Sequence, residues 1–430
     1  MSNLGQQMHA LAARLFPICR SITGSGFRES LNILKEHLPG LVIHEVPTGT
    51  KCFDWTVPKE WNIRDAYLID PNGEKRCDFQ QHNLHVMGYS TPVDEVVTLD
   101  ELQKHLYSLP DQPNAIPYIT SYYKERWGFC ITEEERQTLP EGEYHVVIDS
   151  QLEDGHLTYG ELVLPGESEK EIFLSTYLCH PSMANNELSG PVVATFLVKW
   201  LMSLPQRKYT IRLVIIPETI GSITYLSRNL AHLQQHVIAG FNLTCVGDDR
   251  AYSYLPSRAG NTLADQAALH VLQHLHPDFI RYEYADRGSD ERQYCSPGVD
   301  LPLCLIMRTK FQSYPEYHTS LDDLSLVTPE GLYGTYEVLQ QVITCIENAQ
   351  VLRTTVLCEP QLGKRGLYPT ISTKQSAAIV RDMMNIIAYS DGTRNSIALA
   401  EKIGVYLPDV LPTIQHLLEE GVLIAAEPAG

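Results

Sequence analysis

Between Glu171 and Glu347 the chain alternates between two hydrophobic periods, and that alternation limits the possible folds more than any other feature. Glu171–Leu178 reads as a buried strand, Leu188–Leu204 as a helix, Tyr209–Ile216 as a strand and Ile220–Asn229 as a helix. A strand at Val237–Val246, a helix at Thr262–Leu275, short strands near Tyr282 and at Leu301–Met307, and a helix at Pro329–Glu347 continue the pattern. Thr328 is the expected N-cap of that last helix, with Pro329 at its first position. Strands and helices that take turns in this way predict an α/β fold, a mixed and largely parallel sheet held between helices.

The flanking segments have different textures. Met8–Leu38 carries apolar residues at helical spacing, broken at Gly24–Gly26, and predicts two helices. From residue 41 to 109 short β-like runs alternate with Pro and Gly, which predicts a small β-rich insert. Glu143–Ile148 and Leu157–Leu164, joined through Asp154 and Gly155, read as a strand-turn-strand unit. After a linker at Gly363–Thr370, three short helical patterns (Ala377–Tyr389, Ser396–Ile403, Asp409–Glu419) lead into a strand at Val422–Ala425, as in a winged helix. The predicted domains are therefore an α/β domain from residues 1–40 and 110–360, an insert at 41–109 and a winged-helix-like module at 370–430.

Charge narrows the partners. With 33 basic and 52 acidic residues the chain carries a formal charge of −19, a field that repels phosphate backbones and anionic lipid. No nucleic acid and no membrane partner is expected. From Thr370 onward there are four basic and seven acidic side chains, so the terminal module is expected to pack or to form a homodimer rather than to read DNA. Ten cysteines without a CxxC pair lie mostly inside apolar runs, the pattern of buried thiols in a reducing compartment. With no secretory leader at Met1–Phe16 and no run of 18 apolar residues, a cytoplasmic protein is expected.

In open α/β sheets ligands bind in the crevice beyond the carboxyl ends of the strands. The residues there include His180 after the first strand, Glu218 after the second, Gly288–Arg292 further on and Tyr317–Asp322 before the last helix. His180 and His318 have the chemistry to give neutral imidazoles to a divalent metal, with Glu218 as general base on a metal-activated water. Hydrogen-bonded structural histidines are the alternative. Arg250, Arg258, Arg287 and Arg292 are candidates to hold an anionic substrate group, or else are ion-paired. Tyr122, Tyr123, Trp127 and Phe129 are an aromatic cluster for a pocket wall or the core, and His82 and His85 are expected at the surface.

These motifs resemble the M28-like zinc aminopeptidases and the glutaminyl cyclases that share their fold. The resemblance runs through His180, through Asn186 ahead of Ser189-Gly190, through Glu218-Thr219-Ile220-Gly221, through Ser289-Asp290, and through Tyr317-His318-Thr319 with Asp322. More narrowly, the early β-rich insert, Cys179-His180-Pro181-Ser182, Gly288-Ser289-Asp290-Glu291 and the terminal winged helix resemble the aminopeptidase-like proteins of unknown function (DUF4910/DUF2172 type). Some members of that group occur with polysaccharide or natural-product biosynthesis. The resemblance implies a hydrolase, with His180, His318, Asn186 and Asp290 as metal ligands and Glu218 and Asp290 as catalytic groups.

The departures from that family pattern are equally informative. Asn186 stands at the bridging carboxylate, Thr219 at the second glutamate of the pair and Thr244 at a further aspartate. Two divalent ions about 3.5–4 Å apart need bridging negative charge, so one zinc ion per chain is expected. The reading is then a zinc-dependent, aminopeptidase-like amide hydrolase acting on a peptide or an amine-bearing small molecule. Its alternative is a catalytically retired peptidase fold used for ligand binding or assembly. A third class, transcriptional regulation, requires salt-sensitive DNA binding.

Overall fold

Four parallel strands form the middle of an eight-stranded sheet, in the spatial order Tyr209–Ile216, Ser168–Tyr177, Val237–Leu243, Leu303–Met307. On one side the sheet continues antiparallel through His156–Leu164 to Val42–Pro47; on the other Ser253–Leu255 joins antiparallel and Ile280–Arg281 pairs parallel to it. This is a computed structural model, and it describes residues 3–367 and 374–426. The mixed, largely parallel sheet expected from the alternation is present. From Ser168–Tyr177 the chain crosses first to Tyr209–Ile216 on one side and then to Val237–Leu243 on the other. That reversal opens a crevice at the carboxyl ends of the central strands.

The helix Ser189–Ser203 follows Ser168–Tyr177 directly, and every residue from Ser189 to Val198 is buried. A helix apolar on nearly all sides belongs inside a core. Its start lies against two strand ends: a Cβ at Gly190 would fall 2.4 Å from the Leu243 carbonyl oxygen and 2.6 Å from Thr176 Oγ1. Thr328 accepts the Gly331 N–H at 2.8 Å, capping the helix Pro329–Glu347 as expected.

The β-rich insert has different bounds from those predicted. Val42–Pro47 is an edge of the large sheet, while the small antiparallel sheet runs Lys75–Arg76, Glu60–Ile69, Glu143–Glu153, Val93–Thr98. Its central strand thus comes from outside residues 41–109. The expected hairpin at Asp154–Gly155 does not form. Glu143–Glu153 pairs inside the small sheet and His156–Leu164 inside the large one. Glu60 makes the chain change sheets there, because its carboxylate accepts the His156 N–H at 3.0 Å and packs on Gly155.

The described residues divide into two units, one running to Ala259 together with Ile280–Tyr336, the other Gly260–Phe279 with the chain from Glu337 onward. The second unit holds an antiparallel sheet, Asp391–Asn395, Val351–Thr354, Leu423–Ala426, and the helices Leu263–Leu275, Lys374–Tyr389, Ser396–Ile403 and Leu407–Glu419. Its first strand lies upstream of the linker predicted at Gly363–Thr370, the end of which falls outside the described residues, as do residues 371–373 and 427–430 of the predicted module. Among the described residues no helix is long and apolar enough to cross a membrane. All ten cysteines are free and eight are buried, but Cys358 is exposed.

One substitution and one pH measurement test these packings. Gly190→Ala is expected to destabilise the protein by about 1–3 kcal/mol through overpacking, read as a lower denaturant midpoint at unchanged slope. In the second unit His270 bonds Glu401 through Nδ1, and its Nε2 accepts the Leu407 N–H at 2.9 Å. Nδ1 therefore carries the proton, and the ring is not free to bind an ion. Burial holds this histidine below its usual range against the upward pull of Glu401. Stability from a depressed histidine is present above the unfolded value of about 6.5 and is lost as pH falls through the folded one. Amide protection at Leu407, corrected for the intrinsic exchange rate at each pH, should be high at neutral pH and fall on acidification; protection that is unchanged in acid would disprove the role.

Candidate active site

The crevice holds a cavity of about 350 Å³ whose floor includes His180, Glu218 and His318. His180 follows Ser168–Tyr177 and Glu218 follows Tyr209–Ile216, so two adjacent parallel strands deliver them side by side. His180 Nε2 lies 3.7 Å from the Glu218 carboxylate, and the His180 and His318 rings are 5.3 Å apart. Three of the five predicted site residues thus meet in one place.

Glu187, a residue that sequence reasoning passed over, fixes His180. Its carboxylate accepts from His180 Nδ1 at 2.5 Å and from the Cys179 backbone N–H. In the neutral ring the proton therefore sits on Nδ1 and the Nε2 lone pair faces the cavity. Cys179 Sγ lies 3.5 Å from the same nitrogen. His180 Nδ1 and the Glu187 carboxylate are too close to share an ion, because two ligands at about 2.0–2.3 Å from zinc stand well over 3 Å apart. Arg20 is buried beneath and donates to the Leu15 and His180 carbonyls at 2.6 and 3.0 Å.

The electrostatics differ between the two imidazoles. Burial opposes charge on His180, but Cys179 and Glu187 outweigh it and push the ring well above the usual histidine range. His318 is drawn down to about 3, by burial first and by His180 second, and is neutral near pH 7. Glu218 is raised by burial, against the pull of His180 and Arg292. A carboxyl raised by burial suits proton transfer.

Two residues of the cavity wall, Thr219 and His318, have strained backbone. Thr219 has φ 64° and ψ −75°, and the Ile220 N–H bonds the Glu218 carbonyl at 2.8 Å. This is the rare positive-φ γ-turn. Ser182, Cys245 and His318 also have positive φ. Residues of this kind cost on the order of 1–3 kcal/mol each and persist where the surroundings over-determine them.

The other two predicted residues lie elsewhere. Asp290 is fully buried behind the strained turn, where one carboxylate oxygen accepts the Thr219 N–H at 2.8 Å and the Ser222 hydroxyl at 2.7 Å. Burial and Glu218 raise its carboxyl to about 8. Asn186 sits in a buried π-helical turn, Ala184–Leu188. Asp322 ties down that turn, accepting the Asn185 and Asn186 N–H groups at 2.6 and 2.9 Å. This turns the Asn186 amide oxygen to the Tyr177 hydroxyl at 3.3 Å, and Tyr177 in turn bonds Thr244 at 2.5 Å. Among the described residues neither Asp290 nor Asn186 lines the cavity.

The remaining candidates divide in the same way. Arg292 reaches Thr219 Oγ1 at 3.1 Å, whereas Arg250 pairs with Glu316, Arg258 with Asp300, and Arg287 stacks over Tyr284. Tyr122 and Tyr123 wall the cavity, but Trp127 stacks on His105 and Phe129 is core. His85, expected at the surface, is buried against the Cys130 carbonyl, and His82 accepts the Leu84 N–H.

A two-sided parallel sheet with a histidine, a glutamate and a second histidine at its carboxyl crevice defines an aminopeptidase-like protein. The chain belongs to the family described as a domain of unknown function (DUF4910), whose model matches residues 9–349, and residues 350–425 match a winged helix-turn-helix model. A Clostridium acetobutylicum protein, named for polysaccharide biosynthesis and an aminopeptidase-like domain, is 46% identical over 424 residues, 97% of each chain. A crystal structure named as a peptidase from the same organism is 43% identical over 98% of this chain and 96% of that one, with a TM-score of 0.92. The zinc aminopeptidase of Bacillus subtilis shares the fold at 12% identity, over 79% of this chain and 94% of its own, with a TM-score of 0.54.

The strained turn gives a stability test. Asp290→Ala leaves a buried N–H and a buried hydroxyl without their acceptor and should cost about 2–4 kcal/mol. Asp290→Asn keeps an acceptor oxygen and should hold the parent's stability at neutral pH. Chemical denaturation of both variants checks this, and equal losses would show that Asp290 does not hold the turn.

Proposed function

We propose that the protein is a single-metal amide hydrolase acting on a peptide or an amine-bearing small molecule. The observation that carries this reading is the convergence of His180 Nε2, His318 and Glu218 on one cavity, with Glu187 fixing the first ring. Two imidazoles beside one carboxylate fit one divalent ion. They do not fit two, since Asn186, Thr219 and Thr244 are neutral and Tyr177 bonds both Asn186 and Thr244. In this reading His180 and His318 would hold the ion, here zinc, which when bound would act as a Lewis acid and lower the pKa of water.

The chain's own residues supply the rest. Glu218 takes a proton from the attacking water and passes it to the leaving nitrogen, which departs as an amine. Asp290 is a positioning residue that fixes the Glu218–Thr219 turn. Arg292 opposes the rise in the Glu218 carboxyl and keeps it a competent base. The Clostridium acetobutylicum relative's name supports a setting in polysaccharide biosynthesis, so amides of amino sugars belong in the substrate screen beside aminoacyl amides. The acidic terminal module is proposed as a packing or homodimer element.

The test begins with elemental analysis of protein purified without chelator or histidine tag. About one zinc per chain is expected, lost in both His180→Ala and His318→Ala. Glu218→Gln should retain the metal while turnover of the responsive amides falls at least about 100-fold. A parent protein with neither metal nor turnover would establish the retired fold instead.

A further inference from the structure

Tyr118 packs against both histidines and bonds Tyr122. The Tyr118 ring lies 4.9 Å from the His180 ring and 5.2 Å from the His318 ring, and both tyrosines line the cavity. The segment that carries them is tied down on both sides. The Tyr118 N–H bonds the His318 carbonyl at 3.0 Å, and the Gly88 N–H and carbonyl bond Ile119 and Ser121. The two hydroxyls bond each other at 2.8 Å.

A proton count follows from that pair. Two phenols carry two O–H groups, and a single hydrogen bond between them uses one. Whichever hydroxyl accepts still has its own proton to donate, and among the described residues it has no acceptor other than its partner. Tyr89, whose ring packs edge-on against Tyr122, shows the contrast, since its hydroxyl is shared with Thr23 at 2.6 Å and donates to the Lys59 carbonyl at 3.0 Å. A phenol ordinarily keeps its proton up to about pH 10, so both hydroxyls are donors wherever Glu218 works as a base.

We propose that the Tyr118–Tyr122 pair is the oxyanion donor of this site, its spare O–H held over the His180 and His318 floor for the oxygen of a substrate carbonyl. The proposal rests on the amide-hydrolase reading. As the water oxygen bonds the carbonyl carbon, the C=O π pair moves onto oxygen and the phenol proton hydrogen-bonds that charge without leaving the phenol. The C–N bond then breaks, and amide plus water gives a carboxylate and a protonated amine. A fixed donor aimed at developing charge contributes in the transition state and little in the ground state.

The probes are (1-amino-3-methylbutyl)phosphonic acid, a stable tetrahedral anion, and L-leucinamide, its planar counterpart, with a side chain suited to the Ile22 and Trp55 walls. Calorimetric titration of the full-length protein with each should show the Tyr118→Phe/Tyr122→Phe variant binding the phosphonate at least tenfold more weakly, and leucinamide within threefold of the parent. If the double variant does not fold, at least one of Tyr118→Phe and Tyr122→Phe must show the same selective loss. No loss, an equal loss for both probes, or a parent that binds neither overturns the proposal. Amide turnover is scored separately. Selective loss in a protein that hydrolyses nothing keeps the donor and ends the hydrolase reading, whereas turnover without selective loss does the reverse.

Discussion

A buried carboxylate costs least when both oxygens have donors, and Glu187 meets that condition by accepting from His180 Nδ1 and the Cys179 N–H together. Arg20, also buried, sits close enough for the two charges to stabilise each other. Much of the crevice depends on this arrangement. It sets the tautomer and the angle of His180, joins the end of the strand Ser168–Tyr177 to the π-helical turn, and through Arg20 links the first helix to the His180 carbonyl. Replacing Glu187 would leave Arg20 buried without its counter-charge, a much larger penalty than a lost surface ion pair.

The neighbouring region follows the opposite rule. At Asn186 and Thr244, two of the positions where the resemblance implies carboxylates, this chain has an amide and a hydroxyl, both bonded to the Tyr177 phenol. Neutral groups bury at lower cost than acids, so this half of the crevice is stable without an ion. It also leaves the Asn186 amide nitrogen buried and unpartnered, a donor that would repel a cation. The charge left in the crevice is concentrated on the Glu218 and His180 side.

Much of this was legible in the sequence because it is periodic or local. The strands at 171–178 and 209–216 and the helix at 329–347 follow from hydrophobic period, and His180, Glu218 and His318 from their places at element ends. Contacts distant in sequence were not legible. Asp290 reads as a ligand until Thr219 and Ser222 are seen to hold it, 71 and 68 positions away. Gly155 reads as a hairpin turn, yet Glu60 makes it a crossing between sheets. Glu187 offered one signal, an acid just ahead of a nearly all-apolar helix and seven residues after a histidine, but nothing in the sequence says that Nδ1 and not Nε2 would meet it.

Strain supports a crevice in use over one kept only for packing. Four residues with side chains, Ser182, Thr219, Cys245 and His318, hold positive φ where the chain leaves the central strands or enters the crevice. At on the order of 1–3 kcal/mol each, they represent a sizeable fraction of a protein's net stability. Asp290 restrains Thr219, and Asp322 restrains the turn that faces Tyr177. Both acids lie in the interior with carboxyls lifted toward about 8 and about 6, so the restraints are themselves costly. A crevice kept only for packing would be more stable with relaxed turns and apolar side chains. One that must present two imidazoles and a carboxylate to a common point, beneath a tyrosine donor, has a physical use for each of these features.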